Sequence, residues 1–339
     1  MSLYCNRLLY IERREEIFMV QKTIGVLTSG GDAPGMNAAV RSVVRAALKK
    51  GFRVLGIQRG YNGLIHGEMQ EMNMRSVSDI IHRGGTILYT ARCLEFKEEA
   101  GVLKAVQVCK EQGIDGIVVI GGDGSFRGAA DLSAHGIPCV GIPGTIDNDI
   151  SCTDYTIGYD TAMNTAVEMI DKIRDTAQSH DRCSVVEVMG RRAGHIALNT
   201  GIACGASFII VPEVGYHIED VITKISAARE LGKHHFIIVV AEGIGKVDEI
   251  SKEIETRTGI ETRGTVLGHV QRGGNPSVRD RVEATRMGYR AVELLEQGIG
   301  NRVIGIKGAE IVDYDIQEAL QMKKSFDMEL YHIANEISF

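Results

Sequence analysis

The sequence predicts an α/β fold in which mostly parallel sheets are joined by crossover helices. Three observations carry that expectation. Short apolar runs of strand length end in loops rich in glycine and acids, and the first of these leads on into a helix, the opening of a βαβ unit. A glycine separates helix from following strand at Gly51, Gly113, Gly136 and Gly232, where a left-handed helix end suits a residue without a side chain. The chain is 339 residues long and 44% hydrophobic, more than a single core usually needs, so one or two such domains are expected.

In order along the chain, residues 24–27 read as a strand, 28–35 as a glycine-rich loop and 36–50 as a helix ended by Gly51. Residues 117–120 form a second apolar strand that runs into Gly121-Gly122-Asp123-Gly124-Ser125, and 139–142 a third that runs into Pro143-Gly144-Thr145-Ile146-Asp147-Asn148-Asp149. Residues 158–178 carry Met163, Ala166, Val167, Ile170 and Ile173 at helical spacing, which predicts an amphipathic helix with a core face. Strands follow at 185–188 and 208–211, a helix at 218–231, and a strand at 236–241 that delivers Glu242. Asp123, Thr145, Met189 and Glu242 all come directly after strands, and open α/β sheets collect ligands at their strand carboxyl ends. One shared cleft is therefore expected.

Composition removes several classes of function. A net charge of −6 from 38 basic and 44 acidic residues gives no overall positive field for nucleic acid or an anionic membrane. No apolar run approaches the length of a transmembrane helix. The seven cysteines, at 5, 93, 109, 139, 152, 183 and 204, include no CxxC pair, so reduced thiols in a cytoplasmic protein are the simplest account. Residues 1–18 hold only the brief patch Leu8-Leu9-Tyr10-Ile11 before Glu12-Arg13-Arg14-Glu15-Glu16, too short for a signal core. They read as an N-terminal extension, with Met19 an alternative start.

The two loops after the second and third strands carry the chemistry. Glycines around Asp123 let a backbone approach phosphates closely while the carboxylate faces a metal. The loop is no P-loop, since no Gly-Lys-Ser/Thr follows, and it lacks a GxGxxG fingerprint. If residues 145–149 are extended, Thr145, Asp147 and Asp149 point to one side and build a wall of one hydroxyl and two carboxylates. Taken alone, each loop reads equally well as an ordinary turn, because Gly, Asp and Asn dominate turns. Arg182, Arg191, Arg263 and Arg272 suit phosphate oxygens, although a single arginine is more often a solvated surface residue. His269 is as readily a hydrogen-bonded core histidine as a ligand contact.

Together, GGDGS and PGTIDND, with TSGGDAPGMN near the start, EVMGR in the middle and GHVQRGG later, closely resemble the bacterial ATP-dependent 6-phosphofructokinases, from about Met19 to the C-terminal region. The resemblance implies two Rossmann-like three-layer domains with mostly parallel sheets. The larger, ATP-binding domain is 19–157 plus 270–320, and the smaller, sugar-phosphate-binding domain 158–269 plus 321–339. It implies that Gly31, Arg92, Cys93 and Gly122 through Ser125 (Gly122, Asp123, Gly124, Ser125) line the ATP site, with Asp123 on the Mg²⁺ side. Asp147 then accepts the proton from the 1-hydroxyl of fructose 6-phosphate, while Thr145 and Arg191 steady the transferring group. Asp149, Met189, Gly190, Glu242, His269 and Arg272 surround the sugar phosphate, with Arg182 and Arg263 reaching in from a neighbouring subunit of a homotetramer.

Three other readings compete. Pyrophosphate-dependent relatives usually carry Asp and Lys where this chain has Gly124 and Gly144, so both glycines favour ATP. A nucleotide-sensing protein without turnover would have lost a catalytic acid, and Asp123 and Asp147 are present. A nicotinamide dehydrogenase would show GxGxxG after its first strand.

The resembling enzymes also bind ADP or phosphoenolpyruvate at a second site between subunits. The matching positions here are Arg41, Arg45, Asp79, Arg174, Ser207 and Lys233, with Arg41 and Arg45 one helical turn apart on one face. A solvated basic helix face is an equally good account of that spacing. Ser207 stands where the family usually has Glu, and Leu231 where it usually has Lys or Arg. A retained but blunted effector response is the expectation.

Overall fold

The computed structural model describes residues 21–338, so the extension at 1–18, the alternative start at Met19 and Cys5 lie outside the described residues. The elements run β1 (Thr23–Thr28), α1 (Met36–Lys49), β2 (Arg53–Ile57), α2 (Tyr61–His66), β3 (Met69–Glu71), α3 (Glu99–Gln112), β4 (Ile114–Gly121), α4 (Asp123–Ala134) and β5 (Cys139–Pro143). They continue with α5 (Tyr159–Ser179), β6 (Cys183–Val188), α6 (His195–Ala203), β7 (Phe208–Ile210), α7 (Ile218–Glu230), β8 (Phe236–Ala241), α8 (Val247–Thr258) and β9 (Thr262–Val266). The chain closes with α9 (Val278–Glu296), β10 (Arg302–Lys307), β11 (Glu310–Asp315), α10 (Ile316–Gln321) and α11 (Met328–Glu336).

Two sheets result. The first has seven strands in the order β11-β10-β5-β4-β1-β2-β3, and the second four in the order β7-β8-β6-β9. Every pair in the second sheet is parallel. In the first, only the edge pairs β10 with β11 and β2 with β3 are antiparallel. Strands buried on both faces read as continuous apolar runs, which is why β4, β5 and β8 were legible. β4 begins at Ile114, earlier than the apolar run implies, because Asp115 interrupts the hydropathy; its carboxylate accepts the Thr23 N–H at 2.7 Å and locks the strand to β1. The glycines expected at helix ends all hold positive φ: 82° at Gly51, 66° at Gly113, 85° at Gly136 and 90° at Gly232.

Helices cover both faces of each sheet, giving three layers. On the first sheet α1 and α9 cover one face, with Val40, Val44, Met287 and Val292 buried, and α3 and α4 the other, with Val102, Phe126 and Leu132 buried. The contact of α9 with α1 is close enough that a Cβ on Gly288 would lie 2.7 Å from Ser42 Cβ, and Ser42 Oγ donates to the Thr285 carbonyl at 2.6 Å. On the second sheet α7 and α8 bury Val221, Ile225, Ile250 and Ile254 on the outer face. The same apolar cluster that lies under α1 and α9 continues through Ala162, Ala166 and Ile170 of α5 to Ile196 of α6 and to Val186 and Val239 of the second sheet. The core face expected on residues 158–178 thus joins the two sheets.

Candidate active site

β4 and β5 are parallel neighbours, with Ile120 beside Ile142 and Gly121 beside Pro143, so their following segments emerge side by side. After β4 there is no free loop. Gly122 caps α4, and Asp123 stands in its first turn. The acid expected on a glycine loop is therefore on a helix N-terminus, where unpaired N–H groups favour phosphate. A Cβ on Gly121 would come within 2.4 Å of both the Ser29 carbonyl and Ser125 Oγ, so glycine permits the loop after β1 to touch α4. Ser125 Oγ donates to the Ser29 carbonyl at 3.1 Å and closes that contact. Burial raises the Asp123 carboxyl above its ordinary pKa, and nearby Asp149 adds to the effect against Arg127 and Arg191.

After β5 the chain turns instead of extending. Residues 146 and 147 are in a turn and Asn148 is left-handed at φ 51°, which corrects the expectation of an extended wall. The acids nevertheless converge, because the turn folds them together. Asp147 is 5% exposed, and one of its carboxylate oxygens, Oδ1, has no hydrogen-bond partner among the described residues. Burial, reinforced by Asp149 and Glu242 and opposed by Arg272 and Arg191, pushes its pKa up to about 6. The Asp147 N–H donates to Thr145 Oγ1 at 3.3 Å, and Thr156 Oγ1 donates to the Thr145 carbonyl at 2.6 Å. Asp149 is half-buried and ion-paired with Arg191 at 3.7 Å.

The second sheet supplies the opposite wall. β6 ends at Val188 and β8 at Ala241, and the Glu242 N–H donates to the Val188 carbonyl at 2.9 Å. The Glu242 side chain in turn accepts the backbone N–H of Arg191. Arg191 is left-handed at φ 58°, as Asn148 is, and such strain in non-glycine residues gathers at functional sites. Met189 and Gly190 lie between Val188 and Arg191 on the turn that follows β6. Gln271, fully buried, was passed over in the motif GHVQRGG. Its Oε1 accepts the Met189 N–H at 3.3 Å and its Nε2 donates to the Gly268 carbonyl at 3.1 Å, tying the turn after β6 to the segment that bears His269 and Arg272. A neutral side chain between His269 and Arg272, in a segment noted for its family resemblance, gives no chemical signal of its own.

Gly31 and Arg272 meet. A Cβ at Gly31 would lie 2.4 Å from an Arg272 guanidinium nitrogen, and Arg272 donates to the Asp32 carbonyl at 3.2 Å. Residues expected on the ATP side and on the sugar side therefore touch at one point. Arg92 is exposed and Cys93 half-buried, next to Thr90, whose hydroxyl donates to the Gly30 carbonyl at 2.7 Å. His269 is exposed on a short turn of 3₁₀ helix.

Arg182 and Arg263 lie elsewhere in the chain. Both flank the starts of β6 and β9, with Arg263 paired in register with Ser184. A strand of six residues puts them roughly 20 Å from the carboxyl end where Met189 stands. They share Glu261, Arg182 at 2.8 Å and Arg263 at 2.8 Å, and these two, Arg182 foremost, hold its carboxyl below the usual range. The effector candidates also fall into separate groups. Arg41 and Arg45 are half-buried on α1, with the Arg41 pKa lowered by burial and then by Arg45, and Asp79 is exposed and left-handed at φ 55°. Arg174 donates to the Cys204 carbonyl, and Lys233, close enough to Arg174 to feel its charge, has its pKa lowered by burial and then by that charge. Ser207 is buried with its hydroxyl unpartnered among the described residues, while Leu231 is 83% exposed.

The described residues contain no group of three or more His, Cys, Asp or Glu side chains able to hold a metal ion unaided. Magnesium needs no such group, because it keeps several waters and takes phosphate oxygens with one or two carboxylates. Asp123, raised in pKa by burial beside Asp149, fits that partial role.

Residues 23–295 match the family model described as Phosphofructokinase. A Clostridium botulinum (strain Loch Maree / Type A3) protein described as an ATP-dependent 6-phosphofructokinase is 60% identical over 317 residues, covering 94% of this chain and 99% of that protein. The solved phosphofructokinase of Saccharomyces cerevisiae superposes with a TM-score of 0.87 at 34% identity, covering 93% of this chain; the chain spans 50% of the yeast one. The pyrophosphate-dependent phosphofructokinase of Marinobacter aquaeolei superposes at 0.81 with 21% identity, covering 91% of this chain and 86% of that one, a likeness of fold. With most of its length matched by the family model, and its cleft built from the motifs that suggested the resemblance, the chain belongs to the phosphofructokinase family.

Proposed function

We propose that this chain transfers the γ-phosphoryl group of MgATP to the 1-hydroxyl of fructose 6-phosphate, giving fructose 1,6-bisphosphate and ADP. The observation that carries the reading is Asp147. A carboxylate with an open oxygen and a pKa of about 6 is ionised at neutral pH yet basic enough to take a hydroxyl proton, and it stands where the carboxyl ends of both sheets face each other. In the reaction Asp147 receives the proton of the attacking hydroxyl as the new P–O bond forms and the bond to ADP breaks. The N–H groups at the start of α4, with Gly122, Gly124 and Ser125, cradle the phosphates, and Thr145 and Arg191 hold the group in transfer. Arg272, in contact with Gly31, spans donor and acceptor. Magnesium, held by Asp123 with phosphate and water oxygens, would neutralise phosphate charge. Met189, Gly190, Glu242 and His269 receive the sugar phosphate.

Arg182 and Arg263 act in a neighbouring subunit's site, so a homotetramer is part of the same reading. We assign 19–157 plus 270–320 to the ATP-binding domain and 158–269 plus 321–339 to the sugar-phosphate domain. ADP and phosphoenolpyruvate are the proposed effectors at Arg41, Arg45, Asp79, Arg174, Ser207 and Lys233. A reducing compartment such as the cytoplasm suits the six free cysteines among the described residues.

Pyrophosphate as donor is the second reading. It is disfavoured by Gly124, where an added Cβ meets nothing within 4 Å and space for a nucleotide remains, and by Gly144, where one would press on Ile120 at 3.1 Å and Met36 at 3.2 Å and leave little room for a lysine. A coupled assay with fructose 6-phosphate tests both readings. Turnover with ATP and Mg²⁺ and none with pyrophosphate is expected; turnover with pyrophosphate alone, or with neither, overturns the proposal.

A further inference from the structure

Residues 322–327 join α10, packed with α4 on the first sheet through Ile316 and Ala319, to α11, whose Tyr331 hydroxyl donates to the Ile209 carbonyl of β7 at 3.3 Å. This segment therefore crosses from one sheet to the other behind the cleft. Lys324 lies on it, half-buried, and its ammonium donates to Asn148 Oδ1 at 2.9 Å and to the Thr153 carbonyl at 2.9 Å. Asn148 is the left-handed residue between Asp147 and Asp149, and it is 5% exposed. Thr156 Oγ1, whose hydrogen goes to the Thr145 carbonyl, lies 3.4 Å from Asn148 Oδ1, and the Asn148 amide donates to the Asp154 carbonyl at 3.3 Å. Asn148 is thus held at both ends of its side chain, by the C-terminal crossover and by its own loop.

We infer that Lys324 is a positioning residue for catalysis, which pins Asn148 in its strained conformation and so sets the place of the Asp147 carboxylate between the two sheets. The inference rests on Asp147 being the base. Asparagine enters the left-handed region more readily than most residues with a side chain, so the conformation is fixed by what holds its side chain, and among the described residues the Lys324 ammonium is the one hydrogen-bond partner of that side chain from outside residues 145–156. The charged and titratable groups facing Lys324 are Asp149 and Asp154 on the loop, Cys152 beside them, Lys307 at the end of β10, and His195 at the start of α6. Lys307 is itself ion-paired with Asp154 at 2.9 Å. His195 has its pKa lowered to about 4 by burial and then by Lys324, so it is neutral at neutral pH and brings no competing charge. Burial lowers the Lys324 pKa to about 8, so its charge is present below that pH and is lost as pH rises through it.

The test is steady-state kinetics of the full chain with fructose 6-phosphate and MgATP, comparing wild type with Lys324→Met, Lys324→Arg and Asp147→Asn from pH 6 to 10. Lys324→Met keeps the stem and removes the ammonium. Its kcat is expected to fall by about 10- to 100-fold, the scale of a displaced catalytic group, with both KM values within about twofold of wild type. The wild-type kcat should decline above about pH 8, and Lys324→Arg, whose guanidinium stays charged, should retain most of kcat and lose that decline. An unchanged kcat in Lys324→Met, or a loss confined to KM, overturns the inference. So does the same alkaline decline in wild type and Lys324→Arg, a comparison that decides the matter should Lys324→Met melt early. If Asp147→Asn is inactive while Lys324→Met is fully active, the positioning role fails alone; if Asp147→Asn turns over normally, the reading of the base fails with it.

Discussion

The cleft and the basic groups around Arg174 and α1 are both charged, half-buried regions, yet they are built on opposite plans. In the cleft unlike charges meet within one chain. Arg191 pairs with Asp149, and Arg272 and Arg191 lower the Asp147 pKa that burial and the neighbouring acids raise. In the basic groups like charges are neighbours: burial first, and then Arg45, lowers the Arg41 pKa, and burial first, and then Arg174, lowers that of Lys233. A region that balances itself can hold its geometry before any ligand arrives, as preorganised catalysis requires. A region of gathered like charge favours an anion, and an anion could shift a conformational equilibrium there only by binding its two states differently. Arg182 and Arg263 stand between the two plans. They share the single carboxylate of Glu261, which offsets one of their two charges, far along the strand from the cleft.

The comparison breaks first at Asp147. Asp147→Asn preserves size but removes the acceptor, and kcat should fall by about 10²–10⁴, the range for general acid–base catalysis, with ATP affinity little changed. In wild type, kcat/KM should drop as pH falls below about 6, because the pKa of this carboxylate is raised to that value and the protonated acid accepts no proton. Near-normal turnover in the variant, or a flat profile down to pH 5, would remove Asp147 from the role.

The shared-site assignment comes next. Arg263→Ala should weaken fructose 6-phosphate binding by about 10- to 100-fold, the range for removing a charged partner. Mixing this variant with Asp147→Asn under conditions that exchange subunits should, at fructose 6-phosphate well below the KM of Arg263→Ala, raise activity above the sum of the two separate variants, since some hybrid sites contain both intact residues. Verified hybrids without recovery would assign Arg263 to its own chain's surface.

A smaller effect is expected at the donor side. Gly124→Asp places a carboxylate in open space on the first turn of α4, and ATP should lose about 5- to 100-fold in kcat/KM by overpacking against the nucleotide, with fructose 6-phosphate affected far less. Equal losses for both substrates would point to a distorted helix instead.

The smallest effect is expected of the effectors. Ser207 lacks a charge and exposed Leu231 cannot hold an anion, so phosphoenolpyruvate and ADP should each shift the fructose 6-phosphate curve by less than about fivefold, the low end of allosteric coupling. Leu231→Lys should strengthen the shift. Strong sigmoidality induced by phosphoenolpyruvate and fully reversed by ADP in the wild type would show that these two positions do not govern the response.

The parallel sheets, their helix ends and the motif-bearing turns were legible because their causes are local: a glycine at positive φ, an apolar run buried on both faces, an acid directly after a strand. The start of α4 was hidden for an equally local reason, since Gly122 and Gly124 have poor helix propensity, and only packing of Phe126 and Leu132, with Ser125 bonded to Ser29, makes the segment helical. Asn148, in the turn after β5, is hydrogen-bonded by Lys324, 176 residues away, and Gly31 lies against Arg272, contacts that no spacing reveals. Gln271 carries no charge to attract notice, yet it joins the two strands' ends of the sugar side. The sequence by itself therefore determined which residues are available for phosphoryl transfer and which strands deliver them. Tertiary structure decided that Asp147 is an acid with a pKa of about 6, because that value comes from burial and from Asp149, Glu242, Arg272 and Arg191, groups that meet only where the carboxyl ends of the two sheets face each other.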